Sequence, residues 1–160
     1  GDTIDLDIYD PLRRKAHTRV RLWGVDTPEK GWNGRPAMYY GEQATTFVAQ
    51  HVLGKTVRIE LHPRKRTRDK YDRLLAYVWL PETGQMLNEL LVETGHAYAD
   101  LRFDHLYKAR FVRLERTARK QKRGLWAAVR PEQWPAWRRR MVRASGPKSR
   151  PAPASHARPR

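Results

Sequence analysis

The side chains best suited to chemistry lie between Arg21 and Glu29, where an arginine precedes the sequence Asp26-Thr27-Pro28-Glu29. Another acid, Asp2, lies near the start of the chain. Carboxylate oxygens are the hard ligands that calcium and magnesium prefer. On its own, Asp followed by Thr-Pro is more typical of a turn or a helix start. Arg21 favours a functional interpretation, because it lies on the strand face opposite the apolar row, where it could hold a phosphate over a bound metal.

A second candidate cation, Arg73, follows a very basic loop that spans residues 64–70. Phosphodiester hydrolysis needs an activated water, neutralisation of charge on the phosphate oxygens and help for the leaving oxygen. One metal, one carboxylate base and two guanidinium groups meet these needs, and arginine suits the task because its planar fork binds two phosphate oxygens. The alternative for Arg73 is a solvated loop charge.

The overall charge is the strongest feature of the composition. The 160 residues carry a formal net charge of +16, and the pI is about 10.8. Nucleic acid is the first partner to consider for such a protein. A basic surface that only confers solubility, or one attracted to an acidic membrane, is the alternative. Residues 138–160 contain eight Lys/Arg and no acid, so residues 1–137 still carry a formal charge of +8.

Several kinds of site are excluded by the residues that the chain lacks. There is no cysteine, which excludes disulfides, thiolate metal sites and cysteine nucleophiles. All serines lie at or beyond residue 145, so the folded region offers no serine nucleophile. The six histidines show neither HxxxH nor HxH spacing, which argues against a zinc site. No apolar run is long enough to span a bilayer and no signal peptide is found, so we expect no membrane span.

The elements that must position these residues follow from hydrophobic periodicity. Alternation predicts strands near residues 4–8, 19–23 and 57–61, and a continuous apolar run predicts a fourth at 74–80. Helical spacing predicts helices over residues 42–53 and 86–94, and a longer one capped by Asp104 that closes at Gly124. Three tryptophans then pin the C-terminal segment to the body: Trp126, Trp134 and Trp137.

This order of elements indicates an α+β protein built on a small closed sheet. A partly open five-stranded barrel of the OB type is the natural architecture, although the pattern alone also permits a different small barrel. We expect residues 1–137 to form one domain. Residues 138–160 are expected to form a basic, disordered C-terminal tail, because no hydrophobic periodicity survives there.

Several short motifs together give the chain a family resemblance. These motifs are Gly1-Asp2-Thr3, Arg21 to Glu29, Gly41-Glu42-Gln43-Ala44, Asp69 to Tyr77 and Gly124-Leu125-Trp126. In their order and spacing, residues 1–127 resemble the staphylococcal nuclease (thermonuclease-like) family. The resemblance implies an OB-fold five-stranded β-barrel with three α-helices. The family has a further strand before the position of Gly1, so we expect the first barrel strand to be missing from this chain.

The same resemblance implies an activity and its partners. It implies a calcium-dependent endonuclease that hydrolyses DNA and RNA with little sequence preference, leaving 3′-phosphate and 5′-hydroxyl ends. The alternative is a weak or inactive nuclease-like domain that serves as a nucleic-acid-binding module. We expect Ca²⁺ as the cofactor, a monomer and no obligate protein partner. The resemblance also suggests a secreted or extracytoplasmic protein.

Site residues follow from the resemblance by position. Asp2 and Asp26 are similar to the calcium-binding carboxylates, and the Thr27 carbonyl to a further ligand. Glu29 is similar to the base that positions or deprotonates the attacking water. Arg21 and Arg73 are similar to the phosphate-binding arginines of the family. Lys70 and Tyr71 are similar to residues that touch the nucleotide's terminal phosphate.

Two positions in the substrate region depart from the family pattern. Where some members stack the base on tyrosines, this chain offers Phe103, so stacking is expected on Phe103 alone or on Tyr71 and the loop around Trp32. Asp72 stands where the family commonly has glycine. We expect the turn to be kept, because Asp tolerates left-handed backbone angles better than most residues.

Overall fold

The computed structural model describes residues 1–144. Five strands form one sheet, β1 (Thr3–Leu6), β2 (Thr18–Leu22), β4 (Arg58–Glu60), β5 (Leu74–Leu80) and β6 (Gln85–Met86). The strand order is β1-β2-β5-β4, and β6 also pairs with β5. Two short strands, β3 (Val25–Asp26) and β7 (Tyr98–Ala99), form a second, antiparallel pair. This is the predicted α+β architecture, a five-stranded sheet with helices of the OB-fold type.

Strand β5 is the centre of the sheet. It runs parallel to β2 and antiparallel to β4 and β6. Its continuous apolar sequence is explained by this position, because side chains on both of its faces are buried: Leu75, Ala76, Tyr77, Val78 and Leu80. The parallel pairing of β2 with β5 brings residue 21 opposite residue 75. The two halves of the candidate site, one after β2 and one before β5, are therefore carried by neighbouring strands.

Within residues 1–144, four α-helices accompany the sheet, whereas three were predicted. They are α1 (Gly41–Val52), α2 (Leu87–Glu93), α3 (Lys108–Lys120) and α4 (Ala136–Ala144). Helix α3 begins at Lys108 and not at Asp104, because the Asp104 carboxylate binds Lys65 at 3.1 Å instead of capping the helix. Helix α4 is the element that the sequence analysis missed. Its many arginines made it resemble the start of a tail.

A buried asparagine fastens helix α2 to the sheet. Asn88 is fully buried, and its Oδ1 accepts a hydrogen bond from the Val78 amide at 2.9 Å. Its Nδ2 donates to the carbonyls of Trp23 and Ala76, at 2.9 and 3.2 Å. One side chain thus binds three backbone groups in the interior, of which the Ala76 carbonyl also accepts from the Trp23 amide at 2.9 Å.

The ends of helices α2 and α3 meet at two glycines. The Leu125 amide donates to the Gly95 carbonyl at 2.8 Å. Gly95 has a φ of 75°, and a Cβ there would lie 2.2 Å from the Arg123 carbonyl oxygen. A Cβ on Gly124 would lie 2.3 Å from the Gly95 oxygen. Both positions therefore require glycine, because the two backbones touch directly.

Helix α4 is held to the body by a buried ion pair. Arg138 and Glu115 are 6% and 7% exposed, and the guanidinium donates to both carboxylate oxygens, at 2.9 and 2.5 Å. Three aromatic rings lie within about 5.3 Å of the guanidinium: Tyr98, Trp126 and Trp134. The prediction that tryptophans pin this segment to the body is therefore confirmed for the part of the chain described.

The domain boundary expected at residue 138 falls inside helix α4. Arg138 was assigned to the tail because of its charge, but Glu115 neutralises that charge in the interior. The remainder of the predicted tail, residues 145–160, lies outside the described residues. Among residues 1–144, no helix combines the length and apolar character that crossing a lipid bilayer requires.

Two histidines, the buried His105 and the half-buried His96, make stability depend on pH. Burial lowers the pKa of His96 and of His105 from 6.5 to about 4. Between pH 6.5 and about pH 4, the unfolded chain therefore binds protons at these two histidines, whereas the folded protein does not. We expect the free energy of unfolding to have its highest value above pH 6.5, where the histidines are neutral in both states. It should fall as the pH drops from 6.5 towards 4.

Urea denaturation at about pH 7.5 and about pH 5 measures this dependence, in a window where ordinary carboxyl groups change little. His96→Phe, which keeps a ring against Phe47, should reduce the loss of stability between the two pH values. An equal loss in the variant and the unaltered protein would contradict the role of His96.

Candidate active site

Eight of the nine predicted site residues line a single cavity of about 850 Å³: Asp2, Arg21, Asp26, Glu29, Lys70, Tyr71, Arg73 and Phe103. The ninth, Thr27, is 2% exposed and lies behind the wall, where its amide donates to Asp2 at 3.4 Å. Trp32 is not among the lining residues. Segments from the start of the chain, the β2–β3 turn, the basic loop and the segment after β7 thus meet at one place.

Arg21 organises the carboxylate side of the cavity. Its Nη1 donates to the carbonyls of Leu22 and Val25, both at 2.8 Å. Its Nη2 lies 3.0 Å from Asp2 Oδ2 and 3.3 Å from Asp26 Oδ1. In this structure the guanidinium therefore closes the β2–β3 turn and joins two carboxylates. The N–H groups on Nη1 and Nη2 already bind protein oxygens, and a substrate phosphate would have to share them with those oxygens.

Asp26 has two further partners that the sequence analysis did not identify. Its Oδ1 accepts a hydrogen bond from Arg102 Nη2 at 3.0 Å, and its Oδ2 accepts one from Trp137 Nε1 at 2.8 Å. Arg102 is itself held by Asp100 at 2.7 and 2.9 Å. Burial raises the pKa of Asp26 despite the Trp137 hydrogen bond, and the charge of Asp2 raises it further.

Glu29 is positioned by the beginning of helix α1. Its carbonyl accepts a hydrogen bond from the Met38 amide at 2.8 Å. A Cβ on Gly41, the first residue of the helix, would lie 2.2 Å from that carbonyl, so the close packing requires glycine. Burial raises the pKa of the Glu29 carboxyl, and the charges of Asp2 and Asp26 add to the rise. A carboxylate with a raised pKa is a stronger base than one with the ordinary value, although the residue is exposed to the cavity and solvent.

Arg73 is fixed before any ligand arrives. Asp69 Oδ2 accepts from Arg73 Nε at 2.8 Å and lies 2.7 Å from its Nη2, while Arg73 Nη1 donates to Thr3 Oγ1 at 3.0 Å. Although burial alone acts in the opposite direction, hydrogen bonds from Arg73 and from two backbone amides lower the pKa of Asp69. Asp72 has a φ of 59°, so the turn keeps the left-handed angle expected there.

The aromatic side chains of the cavity are exposed and lie beside cations. Tyr71 is 62% exposed, with Lys70 Nζ at 4.9 Å and Arg73 Cζ at 5.5 Å from its ring centre. Phe103 is half exposed, and Arg102 Cζ lies 5.7 Å from its ring. Exposed rings next to positive charge are suited to stacking on bases while phosphates bind nearby.

A second, shallower cavity of about 410 Å³ adjoins the first. The two share Tyr71 and Arg73, and the second adds Arg13, Arg19 and one acid, Asp72. The loop that carries Arg13 is joined to the basic loop by a bidentate ion pair, in which Arg68 donates to the fully buried Asp10 at 2.8 and 2.9 Å. The cationic surface therefore continues beyond the main cavity on a fixed support.

The acids of the main cavity fit a calcium ion in their chemistry. Asp2, Asp26 and Glu29 present only hard oxygen donors, and their neighbouring charges raise the pKa of Asp26 and Glu29, a repulsion that a bound cation relieves. Within residues 1–144, however, no three acidic, histidine or cysteine side chains are already gathered as a metal-binding cluster. The assignment of Asp2, Asp26 and Thr27 as ligands stays a prediction.

Known proteins resemble this chain over most of its length. Residues 19–128 match the family model described as staphylococcal nuclease homologue. The chain belongs to this family. The thermonuclease of Staphylococcus hyicus is 35% identical over 128 residues, covering 79% of this chain and 70% of that protein. An uncharacterized endonuclease of Escherichia coli O157:H7 is 35% identical over 142 residues, covering 88% of this chain and 80% of that protein.

Three residues that hold the site together were not predicted from the sequence of this family member. Asp69 stood inside a recognised motif, and its position four residues before Arg73 was the available signal. Arg102 adjoins Phe103, but a single arginine in a loop gave no indication of its partners. Trp137 contacts Asp26 across 111 residues of sequence, and nothing in the local pattern pointed to that contact.

The role of Asp69 can be tested with a matched pair of variants. Asp69→Asn keeps the size of the side chain but removes the charge that holds Arg73, whereas Asp72→Asn removes the same charge from the same loop without touching that ion pair. We expect Asp69→Asn to weaken the binding of a labelled single-stranded oligonucleotide by about tenfold, because the ligand must then order Arg73 itself.

Asp72→Asn should leave the affinity equal or slightly tighter, since it only makes the protein more positive. Fluorescence anisotropy at fixed ionic strength measures both variants. Tighter binding by Asp69→Asn as well would show that charge alone decides and that the fixed position of Arg73 does not matter.

Proposed function

We propose that this protein is a calcium-dependent endonuclease that hydrolyses DNA and RNA with little sequence preference, leaving 3′-phosphate and 5′-hydroxyl ends. The observation that supports it most is the convergence of eight predicted site residues, both carboxylates and cations, on one cavity. Membership of the staphylococcal nuclease homologue family supports nuclease chemistry. Relatives named thermonuclease and endonuclease support it further.

In this proposal the substrate phosphate lies between Arg21 and Arg73. Arg73, held by Asp69 and Thr3, binds a non-bridging oxygen without first having to be ordered. Arg21 binds the phosphate from the carboxylate side while keeping its contacts to the β2–β3 turn. Lys70 and Tyr71 contact the terminal phosphate, and the exposed rings of Tyr71 and Phe103 stack on bases.

Hydrolysis begins when Glu29 takes a proton from water. The water oxygen bonds to phosphorus, the bond from phosphorus to the 5′-oxygen breaks, and that oxygen takes a proton from solvent water to give the 5′-hydroxyl. The proton held by Glu29 then returns to the solvent. The phosphate stays on the 3′-oxygen. Asp2, Asp26 and the Thr27 carbonyl would hold calcium, which when bound supplies positive charge beside the phosphate. The raised pKa of Glu29 suits its role as the base.

The proposal is tested by following single-stranded DNA with calcium and with chelator present. We expect calcium-dependent cleavage, and Glu29→Gln should lower the rate by about 10²- to 10⁴-fold while changing affinity little, because only the base is lost. Glu42→Gln makes the same chemical change on an exposed residue of helix α1 and should cleave normally. Salt-sensitive binding without any cleavage would favour the alternative, a nucleic-acid-binding module.

The second cavity extends the proposed path of the substrate backbone. Arg13 lines it, and the loop that carries Arg13 is anchored through Asp10 and Arg68. We expect Arg13→Gln to weaken the binding of a long single-stranded oligonucleotide. It should also reduce the slope of log affinity against log salt concentration by about 0.7, the value for one lost phosphate contact.

Arg116→Gln is the matched control, because it removes the same charge from the exposed face of helix α3, away from both cavities. Its slope should equal that of the unaltered protein. Equal slopes for both variants and the unaltered protein would show that the substrate does not follow the second cavity.

A further inference from the structure

The C-terminal helix α4 reaches the wall of the active-site cavity. Trp137, its second residue, is 7% exposed and donates from Nε1 to Asp26 Oδ2 at 2.8 Å. The match to the family model ends at residue 128, so this contact comes from a segment beyond the matched region. The other carboxylate oxygen of Asp26 is the one that Arg21 and Arg102 bind.

We propose that Trp137 is a positioning residue for calcium binding, which fixes the orientation of the Asp26 carboxylate. This inference rests on the proposed function of Asp26 as a calcium ligand. Groups that hydrogen-bond to metal ligands fix the orientation of those ligands, and their loss commonly weakens metal affinity by about 10- to 100-fold. An indole N–H suits this task, because it is a neutral donor and leaves the negative charge of Asp26 available to a cation.

A closed chain of contacts keeps Trp137 in place. The next residue, Arg138, forms the buried ion pair with Glu115. Glu115 Oε2 also accepts a hydrogen bond from the Ala99 amide at 2.9 Å, and Ala99 pairs with Val25 in the β3–β7 ladder. Strand β3 carries Asp26 itself. The carboxylate and the indole are therefore fixed relative to each other by a buried ion pair and a strand pairing as well as by their own hydrogen bond.

Arg102 connects the same helix to the cavity in a second way. Its guanidinium lies 5.0 Å from the Trp137 ring centre and 3.0 Å from Asp26 Oδ1. The indole plane thus supports the arginine that borders the carboxylate. Asp26 has one donor from helix α4 on one oxygen and two arginines on the other, which restricts the rotation of the carboxylate.

A second tryptophan provides the matched control. Trp134 packs in the same aromatic cluster and lies 5.3 Å from Arg138, but its buried Nε1 has no hydrogen-bond partner among the described residues. Trp134→Phe removes an unused N–H, whereas Trp137→Phe removes the N–H bound to Asp26. Both variants replace an indole of the same cluster by a smaller ring, and only Trp137→Phe removes a donor to Asp26, so a difference in calcium affinity reports the hydrogen bond.

The experiment is a calorimetric titration of chelator-treated protein with calcium. We expect Trp137→Phe to weaken calcium binding by at least about tenfold, while Trp134→Phe stays within about twofold of the unaltered protein. Cleavage of single-stranded DNA by Trp137→Phe should need more calcium for half-maximal rate, and kcat at saturating calcium should return towards the unaltered value. A purely structural role would lower the rate at every calcium concentration.

Equal calcium affinity in the two variants would overturn the positioning role of Trp137 and leave the proposed function intact. Failure of the unaltered protein to bind calcium would overturn both. If Trp137→Phe does not fold, the indole N–H signals of Trp137 and Trp134 can be followed by NMR in the unaltered protein. We expect calcium to shift the Trp137 signal more than the Trp134 signal, and an unmoved Trp137 signal would contradict the inference.

Discussion

The arrangement of the site depends on one buried arginine between two acids. The side chain of Arg21 is 12% exposed, and its two terminal nitrogens divide their work between backbone carbonyls and the carboxylates of Asp2 and Asp26. Two carboxylates brought this close would repel each other, and neither is well solvated. Because Arg21 neutralises part of that charge, β1 and the β2–β3 turn can meet. The site residues that come later in the sequence line the same cavity as this junction.

Two further arginines that line the cavity are each held by a nearby acid. Arg73 is held by Asp69, and Arg102 by Asp100. These pairs lower the net positive charge, but they fix where the remaining donors point. A strongly basic protein could attract nucleic acid without such pairs. Their presence favours a site in which direction matters as much as attraction, as stabilisation of a transition state requires.

Much of the fold could be predicted from the sequence, because strand alternation and the apolar run of β5 are local signals. Eight residues that line the main cavity could be singled out because they lie in short motifs whose spacing is specific, and Asp72 has the expected left-handed angle. Helix α4 could not be predicted in the same way. Its burial depends on Glu115, a single acid on another helix that cancels the charge of Arg138. A pairing across 23 residues leaves no trace in the periodicity of either segment.

The ion pair between Arg138 and Glu115 also bears on how the protein opens. If helix α4 detached alone, Glu115 would remain in the interior without its counter-charge. Such a state costs about 3–5 kcal/mol. Fraying of this helix is therefore penalised far more than fraying of an ordinary terminal helix. Residues 136–144 and the strands beside Asp26 should behave as one cooperative unit, whose amides exchange with solvent only in larger openings. The unit that unfolds together extends beyond residue 128, where the match to the family model ends.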